Sequence, residues 1–537
     1  MKKQSSKLIF LCIAFGLSAI ILLLGCGGQT TSTPTSTPAA KTTTTSPTTK
    51  PTLTPKPGGI FKIITYLTSV NFGDPAQTSR PADNIWAQAA MENLLDLDTN
   101  GQPIPWLATA WQLAPDNKSL TLTLRKGVKF HDGTDFNAEA VKFNLDRYIQ
   151  SKVGTALNAV TSVDKVDDYT VRLNLSQLEV AFFYNLAGRA TAMVSPNAVK
   201  TKGTDWLKTN IVGTGPFKLA SYTRDTVIKF ERNPDYWNKP LPYLDGIEVM
   251  FIVDKTTATM SFMAKEAQAL RTSGKDAADL MAKGYNYSKN PAGLFSVLTD
   301  GSNASSPFSN LSVRQAISYA LDTKSITQAI GLGTNEAVNQ LSSPDNWSYS
   351  PNVKGYPYNP EKARQLLKEA GYPTGFPVTF YGTSSIDQNY FQAIQGALKA
   401  VGIDCKIEIV TAAKSSELDT KGWQNGMMTG VQGIGAATND PSSLLRGSYT
   451  SFSGRYVSVL HPKEVEDKML QALVEFDFNK RKALIWEIQQ LIIDKYAMLT
   501  PIYQVYDYCM KYPEVQDLRA FESAYPRWRP DIAWLNK

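Results

Sequence analysis

Histidine and cysteine are scarce in this sequence, and their scarcity limits the chemistry that the chain can perform. Among 537 residues there are two histidines, His131 and His461, and four cysteines. Histidine is the usual general base near neutral pH, and clusters of histidine and cysteine hold transition metals. The sequence has no zinc-ligand spacing and no G-x-S-x-G nucleophile motif. We therefore expect no enzymatic activity, no cofactor and no metal held by protein ligands alone, although a metal inside an organic chelator remains compatible with the sequence.

Excess charge and phosphate-binding motifs are also lacking. Removing an amino-terminal leader that contains three lysines and no acidic residue lowers the formal net charge from +7 to +4. The remaining charge is too small and too dispersed to indicate nucleic-acid binding. Gly213-Thr214-Gly215 is not a phosphate loop, because no Lys-Ser/Thr pair follows it and no helical pattern opens there.

The first 25 residues are typical of an export signal. Lys2, Lys3 and Lys7 precede an uncharged, mostly apolar run from Leu8 to Leu24. The following Gly25-Cys26 resembles a lipobox, in which the cysteine is diacylated and becomes the first residue of the mature protein. An uncleaved membrane anchor is the alternative, because 17 apolar residues reach the lower limit for a span. Both interpretations tether the chain to the outer face of a membrane.

Residues 26–57, which follow the leader, are predicted to form a linker. They consist mainly of threonine, proline, serine and lysine and contain no aromatic residue. Such a segment buries too little apolar surface to offset its conformational entropy, so we expect a disordered leash. A glycosylated stalk is the alternative interpretation.

A strand, a turn and a helix are predicted between Pro105 and Tyr148. Leucines alternate with polar residues from Leu120 to Arg125, which is the period of a half-buried strand. His131-Asp132-Gly133 supplies a turn, and Asn137 is a good helix N-cap. Similar patterns predict a helix over residues 85–95, a capping box at Ser312, and helix and strand alternation from residue 359 to residue 410.

Several motifs together resemble one protein family. They are LA-x-x-W at residues 107–111, L-R-x-x-V-x-F-H-D-G at residues 124–133, A-x-x-V-x-F at residues 138–143, G-T-G-P-F at residues 213–217 and R-N-P-x-Y-W at residues 232–237. This combination is similar to the family 5 extracellular solute-binding proteins, the peptide-, nickel- and opine-binding lipoproteins of bacterial ABC importers. The resemblance covers about residues 58–520.

The resemblance implies an α/β, two-lobe fold of the periplasmic-binding-protein type, with mixed sheets and two crossings between lobes. We expect lobe I at residues 58–298, lobe II at residues 299–498, and a return to lobe I at residues 499–537. The family also implies a monomer that binds a small-molecule or peptide-like ligand and works with an ABC permease and its ATPase.

Candidate ligand-binding residues lie in loops. Phe72, Trp423, Tyr449, Phe452 and Tyr456 are aromatic residues at positions that core packing explains poorly, although an ordinary core role is the alternative for each. Asn71 lies beside Phe72 in the first of these loops.

A departure from the family pattern lies at residues 433–441. Peptide-binding relatives carry a Trp and then an Asp that pairs with the peptide α-ammonium; here Ile434 and Ala437 occupy those positions. A buried ammonium without its carboxylate is strongly disfavoured. We therefore predict that the ligand is not an ordinary free peptide but a blocked peptide, a sugar or another organic solute.

Three functions remain open at this point. The first is a lipid-anchored binding protein of an ABC importer, the second is a surface sensory or interaction protein that has kept the fold, and the third is an extracytoplasmic hydrolase, against which the scarcity of histidine argues. The sequence also leaves open whether Cys405 and Cys509 form a disulfide or are two buried thiols.

Overall fold

Strands and helices alternate through most of the chain, as the computed structural model describes it. The described residues are 53–69, 71–78, 81–98, 101–431, 434, 440–519 and 528–537, and residues 55–537 form one compact unit. The leader, Cys26, most of the predicted linker and Ala437 lie outside the described residues.

The N-terminal segment, residues 53–285, holds the first eleven strands and seven helices. The strands are β1 Ile60–Thr65, β2 Leu95–Leu97, β3 Pro103–Pro105, β4 Ala108–Leu113, β5 Ser119–Leu124, β6 Val160–Asp167, β7 Thr170–Leu175, β8 Phe217–Thr223, β9 Val227–Arg232, β10 Gly246–Phe251 and β11 Ala269–Thr272. The helices are α1 Pro81–Ala87, α2 Ala138–Ser151, α3 Ala181–Leu186, α4 Pro196–Lys202, α5 Thr204–Leu207, α6 Lys255–Met263 and α7 Gly274–Ala282.

Two long strands, β12 Asn286–Thr299 and β17 Leu499–Lys511, flank a central segment, residues 300–498. The strands of the central segment are β13 Glu336–Ala337, β14 Pro377–Thr383, β15 Asp404–Val410 and β16 Gly426–Gly430. Its helices are α8 Leu311–Ala320, α9 Thr323–Gly331, α10 Pro360–Glu369, α11 Gln388–Lys399, α12 Ala412–Lys421, α13 Pro441–Tyr449, α14 Lys463–Val474 and α15 Phe478–Gln490. The chain ends with β18 Val515–Gln516 and β19 Trp534–Leu535.

One mixed sheet runs through both segments. Its strand order is β15-β14-β16-β12-β17-β11-β1-β10-β9-β8, and β13 also pairs with β17. The strands β12 and β17 are antiparallel along nearly their whole length. β16 pairs with β12 at Ser296–Thr299, whereas β11 pairs with β17 at Tyr508–Lys511. The two long strands, called the crossing strands below, therefore carry the sheet from one segment into the other.

A second sheet, with strand order β4-β5-β7-β6, packs against α2. Leu120, Leu122 and Leu124 of β5 are fully or almost fully buried, as their alternation predicts. Asn137 caps α2, because its side chain accepts a hydrogen bond from the amide of Ala140 at 3.0 Å.

Two local predictions were wrong. Residues 85–95 do not form one helix: α1 ends at Ala87, and Leu95 already belongs to β2. The N-cap of α8 is Asn310 rather than Ser312, since the Asn310 side chain accepts from the amide of Ser312 at 2.9 Å. In contrast, Asn359 caps α10 as predicted.

Two of the family motifs meet at His131. The imidazole Nε2 donates to the carbonyl of Gly215 at 3.0 Å, and Nδ1 accepts from the amide of Gly213 at 3.3 Å. Burial lowers the pKa of His131 to about 4, so the ring is neutral at pH 7. A Cβ at Gly213 would lie 2.1 Å from the carbonyl oxygen of Ala90, which explains the glycine. His131 is therefore an architectural residue, as predicted.

Buried Glu92 joins further motif residues. Its carboxylate accepts hydrogen bonds from the Trp106 indole at 2.9 Å, the Thr214 hydroxyl at 2.9 Å and the Tyr236 hydroxyl at 2.8 Å. The Trp237 indole also donates to it at 3.0 Å. One carboxylate thus holds the G-T-G-P-F and R-N-P-x-Y-W motifs against the turn between β3 and β4.

The state of the cysteines and the length of the helices complete the description of the fold. Cys405 and Cys509 are both buried thiols, and they lie in different hydrophobic clusters, which excludes a disulfide between them. Within the described residues, no helix is long and apolar enough to span a membrane.

Candidate functional site

A cavity of about 320 Å³ lies between α3 of the N-terminal segment and α13 of the central segment. It is lined by Ala181, Tyr184, Asn185, Asp440, Ser443, Leu444, Gly447, Ser448 and Arg455. Small-molecule sites are typically concavities of roughly this size or larger with a few polar groups that fix orientation. One wall comes from the N-terminal segment and the other from the central segment, which the crossing strands join. This cavity is therefore our candidate ligand site.

The α3 wall presents a phenol and an amide. The Tyr184 hydroxyl accepts a hydrogen bond from the Gln102 side chain at 3.4 Å, and burial raises its pKa to about 12, so it remains a neutral donor. The Asn185 side chain donates to the carbonyl of Ala156 at 2.9 Å, which fixes its orientation.

The α13 wall begins at a buried carboxylate. Asp440 caps α13 by accepting from the amide of Ser442 at 2.9 Å. Its Oδ2 lies 3.3 Å from Nε of Arg481, and both side chains are almost completely buried. Burial raises the pKa of Asp440, whereas the Arg481 charge acts in the opposite direction. The pair is therefore a desolvated ion pair at the edge of the cavity.

Arg455 is the second charged residue of the cavity wall. Its guanidinium lies 3.3 Å from a carboxylate oxygen of Asp419 and 4.8 Å from the ring centroid of Tyr456. Tyr456 in turn stacks on Tyr449 in the core, with ring centroids 5.8 Å apart. The aromatic pair thus supports the position of the arginine.

Contacts beside the cavity join the same two segments directly. Glu179 and Arg446 form an ion pair at 3.0 Å, and the amide of Val180 donates to the carbonyl of Leu473 at 2.8 Å. The ring of Phe183 meets that of Phe476 edge to face, with centroids 6.3 Å apart. We call these three contacts the brace.

The described residues that the sequence predicted to bind ligand are not among the nine residues that line the cavity. The assumption that core packing explains the loop aromatics poorly was wrong for four of them, because Phe72, Trp423, Tyr449 and Tyr456 are buried in hydrophobic clusters. Phe452 is 56% exposed. A direct role in ligand binding stays a prediction for Phe72, Trp423, Tyr449 and Phe452.

Asn71 and Ile434, the two other described candidates, donate hydrogen bonds to backbone carbonyls. The Asn71 side chain donates to the carbonyl of Gln77 at 3.0 Å. Ile434 is buried, and its amide donates to the carbonyl of Leu341 at 2.7 Å. Their roles in binding, like that of Ala437 outside the described residues, stay predictions.

Sequence reasoning missed Tyr184, Asn185, Arg455 and the serines of α13. Nothing in the local sequence shows that α3 approaches α13. That approach depends on contacts between residues 267 to 293 positions apart.

Comparisons with known proteins agree with this architecture. Residues 102–455 match the model of the bacterial extracellular solute-binding proteins, family 5 Middle. The chain belongs to this family. The glutathione-binding protein GsiB of Salmonella choleraesuis is 30% identical over 436 residues, covering 78% of this chain and 84% of the relative. The corresponding protein of Shigella dysenteriae is 30% identical over 435 residues, with the same coverage.

Solved structures of family 5 binding proteins share the fold. The periplasmic binding protein DppA from Helicobacter pylori, in complex with the peptide STSA, has a TM-score of 0.70 and 25% identity, covering 90% of this chain and 99% of that chain. HbpA2 from Haemophilus parasuis has a TM-score of 0.79 at 20% identity, covering 89% of this chain and all of that chain.

These findings confirm the predicted family and the two-lobe α/β fold. The family 5 protein is a substrate-binding protein of an ABC importer rather than an enzyme, because the family and its relatives are binding proteins.

Proposed function

We propose that this family 5 protein captures a peptide-like solute by closing its lobes around it and then presents that solute to an ABC permease. The cavity between α3 and α13 is the main support for the proposal, because its two walls come from the two segments that the crossing strands join. A ligand in that position contacts both walls only when they are close together, so binding shifts the population toward the closed form. No chemical change in the ligand is required.

The lobe boundaries follow from the same reasoning. We place lobe I at residues 58–298 and 499–537 and lobe II at residues 299–498. The two crossing strands, each more than ten residues long, supply the hinge: β12 pairs with β16 of the central segment, and β17 pairs with β11 of the N-terminal segment and with β13 of the central segment.

A peptide-like ligand is favoured by the relatives, two of which are named for glutathione and one of which was solved with a peptide. The absence of an acidic residue at Ala437 argues against capture of a free peptide α-ammonium in the usual way. We therefore assign a peptide-like or related organic solute, rather than an ordinary free peptide, to the cavity.

The location that we propose is the outer face of the cytoplasmic membrane, with a diacylated Cys26 as the anchor and a monomeric binding unit. The basic residues, the apolar run and Gly25-Cys26 at the amino terminus support this assignment. The predicted linker of residues 26–57 gives the binding unit reach toward the permease.

Native mass spectrometry of the mature protein, released from membranes with mild detergent, tests the proposal. We expect a mass that corresponds to a lipidated chain beginning at Cys26, together with a non-covalently bound small organic molecule. A Cys26→Ser variant should lose the lipid and keep the small molecule. A chain without any bound small molecule, even after incubation with peptide libraries, would contradict the proposed function.

A further inference from the structure

The charged residues that line the cavity carry counter-ions from the protein itself. Of the nine residues in its wall, Asp440 and Arg455 are charged. Asp440 lies 3.3 Å from Arg481, and Arg455 lies 3.3 Å from Asp419. All four partners belong to the central segment, so both pairs persist whether or not α3 lies close. The formal charge of this group of four side chains is therefore zero.

The Asp440–Arg481 pair is buried deeply enough to influence what can bind beside it. Asp440 is 1% exposed and Arg481 is 2% exposed. Asp440 Oδ2 and Arg481 Nε make an ion pair but no hydrogen bond with each other, which leaves the carboxylate oxygen able to accept from a ligand donor.

A ligand ammonium gains little at this carboxylate. Because Arg481 Nε lies only 3.3 Å from Asp440 Oδ2, a cation that approaches the carboxylate also approaches the guanidinium. Attraction and repulsion then have comparable size, while the ammonium still loses its hydration. A neutral N–H or O–H donor loses much less hydration and meets the same acceptor. Asp440 therefore does not replace the missing carboxylate at Ala437.

The rest of the wall suits an uncharged amide. The Tyr184 hydroxyl, the Asn185 side chain and the hydroxyls of Ser443 and Ser448 are neutral hydrogen-bonding groups. Leu444 and Ala181 supply apolar surface beside them. This combination matches the alternation of amide groups and small side chains along a peptide backbone.

We propose that the cavity selects peptide-like ligands whose amino end carries no charge, such as N-acylated peptides. This inference rests on the proposed function and names the ligand class for the same cavity. The two charged residues that line the cavity are already paired with counter-ions from the same segment.

Paired peptide libraries test this selectivity. Tripeptides with an acetylated amino end (blocked) are compared with the same tripeptides with a free amino end (free), both with an unmodified carboxyl end, using the mature protein and isothermal titration calorimetry at one pH and ionic strength. We expect the blocked members to bind about tenfold more tightly or better. Equal binding, or tighter binding of free peptides, would overturn the inference.

The remaining outcomes separate this inference from the proposed function. If neither library binds but the mature protein retains another small molecule in native mass spectrometry, the ligand class is wrong and the solute-binding function stands. If the protein neither retains a small molecule nor binds either library, both are overturned.

An Arg455→Gln variant tests the physical cause. The substitution leaves Asp419 without its counter-ion near the cavity, so the affinity for free peptides should rise about threefold or more relative to blocked peptides. Arg172→Gln, which removes a similar ion pair with Asp164 in the four-stranded sheet, should leave the ratio unchanged. An unchanged ratio in Arg455→Gln would overturn the claim that ion pairing excludes the ammonium. If Arg455→Gln fails to fold, Asp419→Asn removes the opposite charge and should lower the relative affinity for free peptides.

Discussion

The carboxylate of Glu179 lies 3.0 Å from the guanidinium of Arg446, and this ion pair joins the N-terminal segment to the central segment beside the cavity. The side chains are partly exposed, so the pair contributes modestly to the free energy of the joined state. It nevertheless forms only when the two segments are close, which makes it a reporter of the proposed lobe closure.

Reversing one charge of this pair should favour the open form. In Arg446→Glu two carboxylates face each other, and we expect a longer mean distance between spin labels placed on the two lobes, with ligand affinity reduced by up to about fivefold. The double variant Glu179→Arg/Arg446→Glu restores opposite charges and should recover both values. Label distances that do not differ among the three proteins would contradict a role for the brace in closure.

Replacing Glu92 should destabilise the protein strongly. Four side-chain donors converge on this buried carboxylate. Glu92→Gln introduces an amide N–H₂ group among these donors and removes the charge that strengthens each bond, so we expect a loss of about 3 kcal/mol in the free energy of unfolding. Urea denaturation of the wild type and Glu92→Gln measures this loss in the free energy of unfolding. Glu139→Gln, at an exposed position of α2, is the matched control and should change stability by less than about 0.5 kcal/mol.

Acidification should destabilise the fold through His131. Its pKa is about 4 in the folded protein and about 6.5 in an unfolded chain, so below pH 6.5 the unfolded chain takes up the proton first. The free energy of unfolding should therefore fall as the pH decreases from 6.5 to 4. The upper limit of this decrease is about 3 kcal/mol, and we expect a smaller decrease because the ring is partly accessible to solvent. His131→Gln removes the titrating group.

The test compares how the free energy of unfolding depends on pH in the wild type and in His131→Gln, rather than their stabilities at one pH. The variant is expected to be less stable at pH 7 and to show a shallower decrease between pH 6.5 and 4. His461, whose pKa burial also lowers, remains in both proteins and accounts for a residual slope. Parallel pH profiles for wild type and His131→Gln would show that the ring titrates normally.

The two thiols of residues 55–537 should be reduced but inaccessible. Cys405 and Cys509 are buried and are not joined by a disulfide, and burial raises the pKa of Cys405 to about 12, which suppresses its reactive thiolate. Without reductant, a thiol reagent should label neither cysteine in the native protein and both after unfolding in guanidinium chloride. Unfolded protein without reactive thiols would indicate a disulfide and contradict the structure.

Local sequence patterns predicted the strand whose side chains alternate between apolar and polar, and the helices that begin at an N-cap residue. The leucines of β5, the Asn137 cap of α2 and the Asn359 cap of α10 are determined by neighbours within a few residues. The helix predicted at residues 85–95 failed because the apolar residues there are buried by tertiary packing rather than by a helical stripe.

The cavity could not be predicted in the same way. Phe72 and Trp423 were predicted to be loop aromatics that core packing explains poorly, but residues distant in sequence contact them: Tyr222 packs edge to face on Phe72, and the Ser458 hydroxyl accepts a hydrogen bond from the Trp423 amide. Tyr184 and Arg455 carry no local signal, because only the fold brings α3 to α13. Family resemblance predicted the architecture, whereas the side chains that line the candidate site could be identified only from the structure.

Filling the cavity is the most direct test of the claim that a solute binds between α3 and α13. Gly447 lines the cavity in α13, and a Cβ added there would meet no atom within 4 Å, so Gly447→Phe places a ring in the ligand space without a backbone clash. Gly396→Phe is the matched control, because Gly396 is an exposed glycine of α11 with the same freedom and lies away from the cavity. Calorimetric titration of the three proteins with the combined blocked and free tripeptide libraries gives the comparison. We predict that Gly447→Phe weakens binding by about tenfold or more while Gly396→Phe binds like the wild type; wild-type affinity in a folded Gly447→Phe protein would contradict the account.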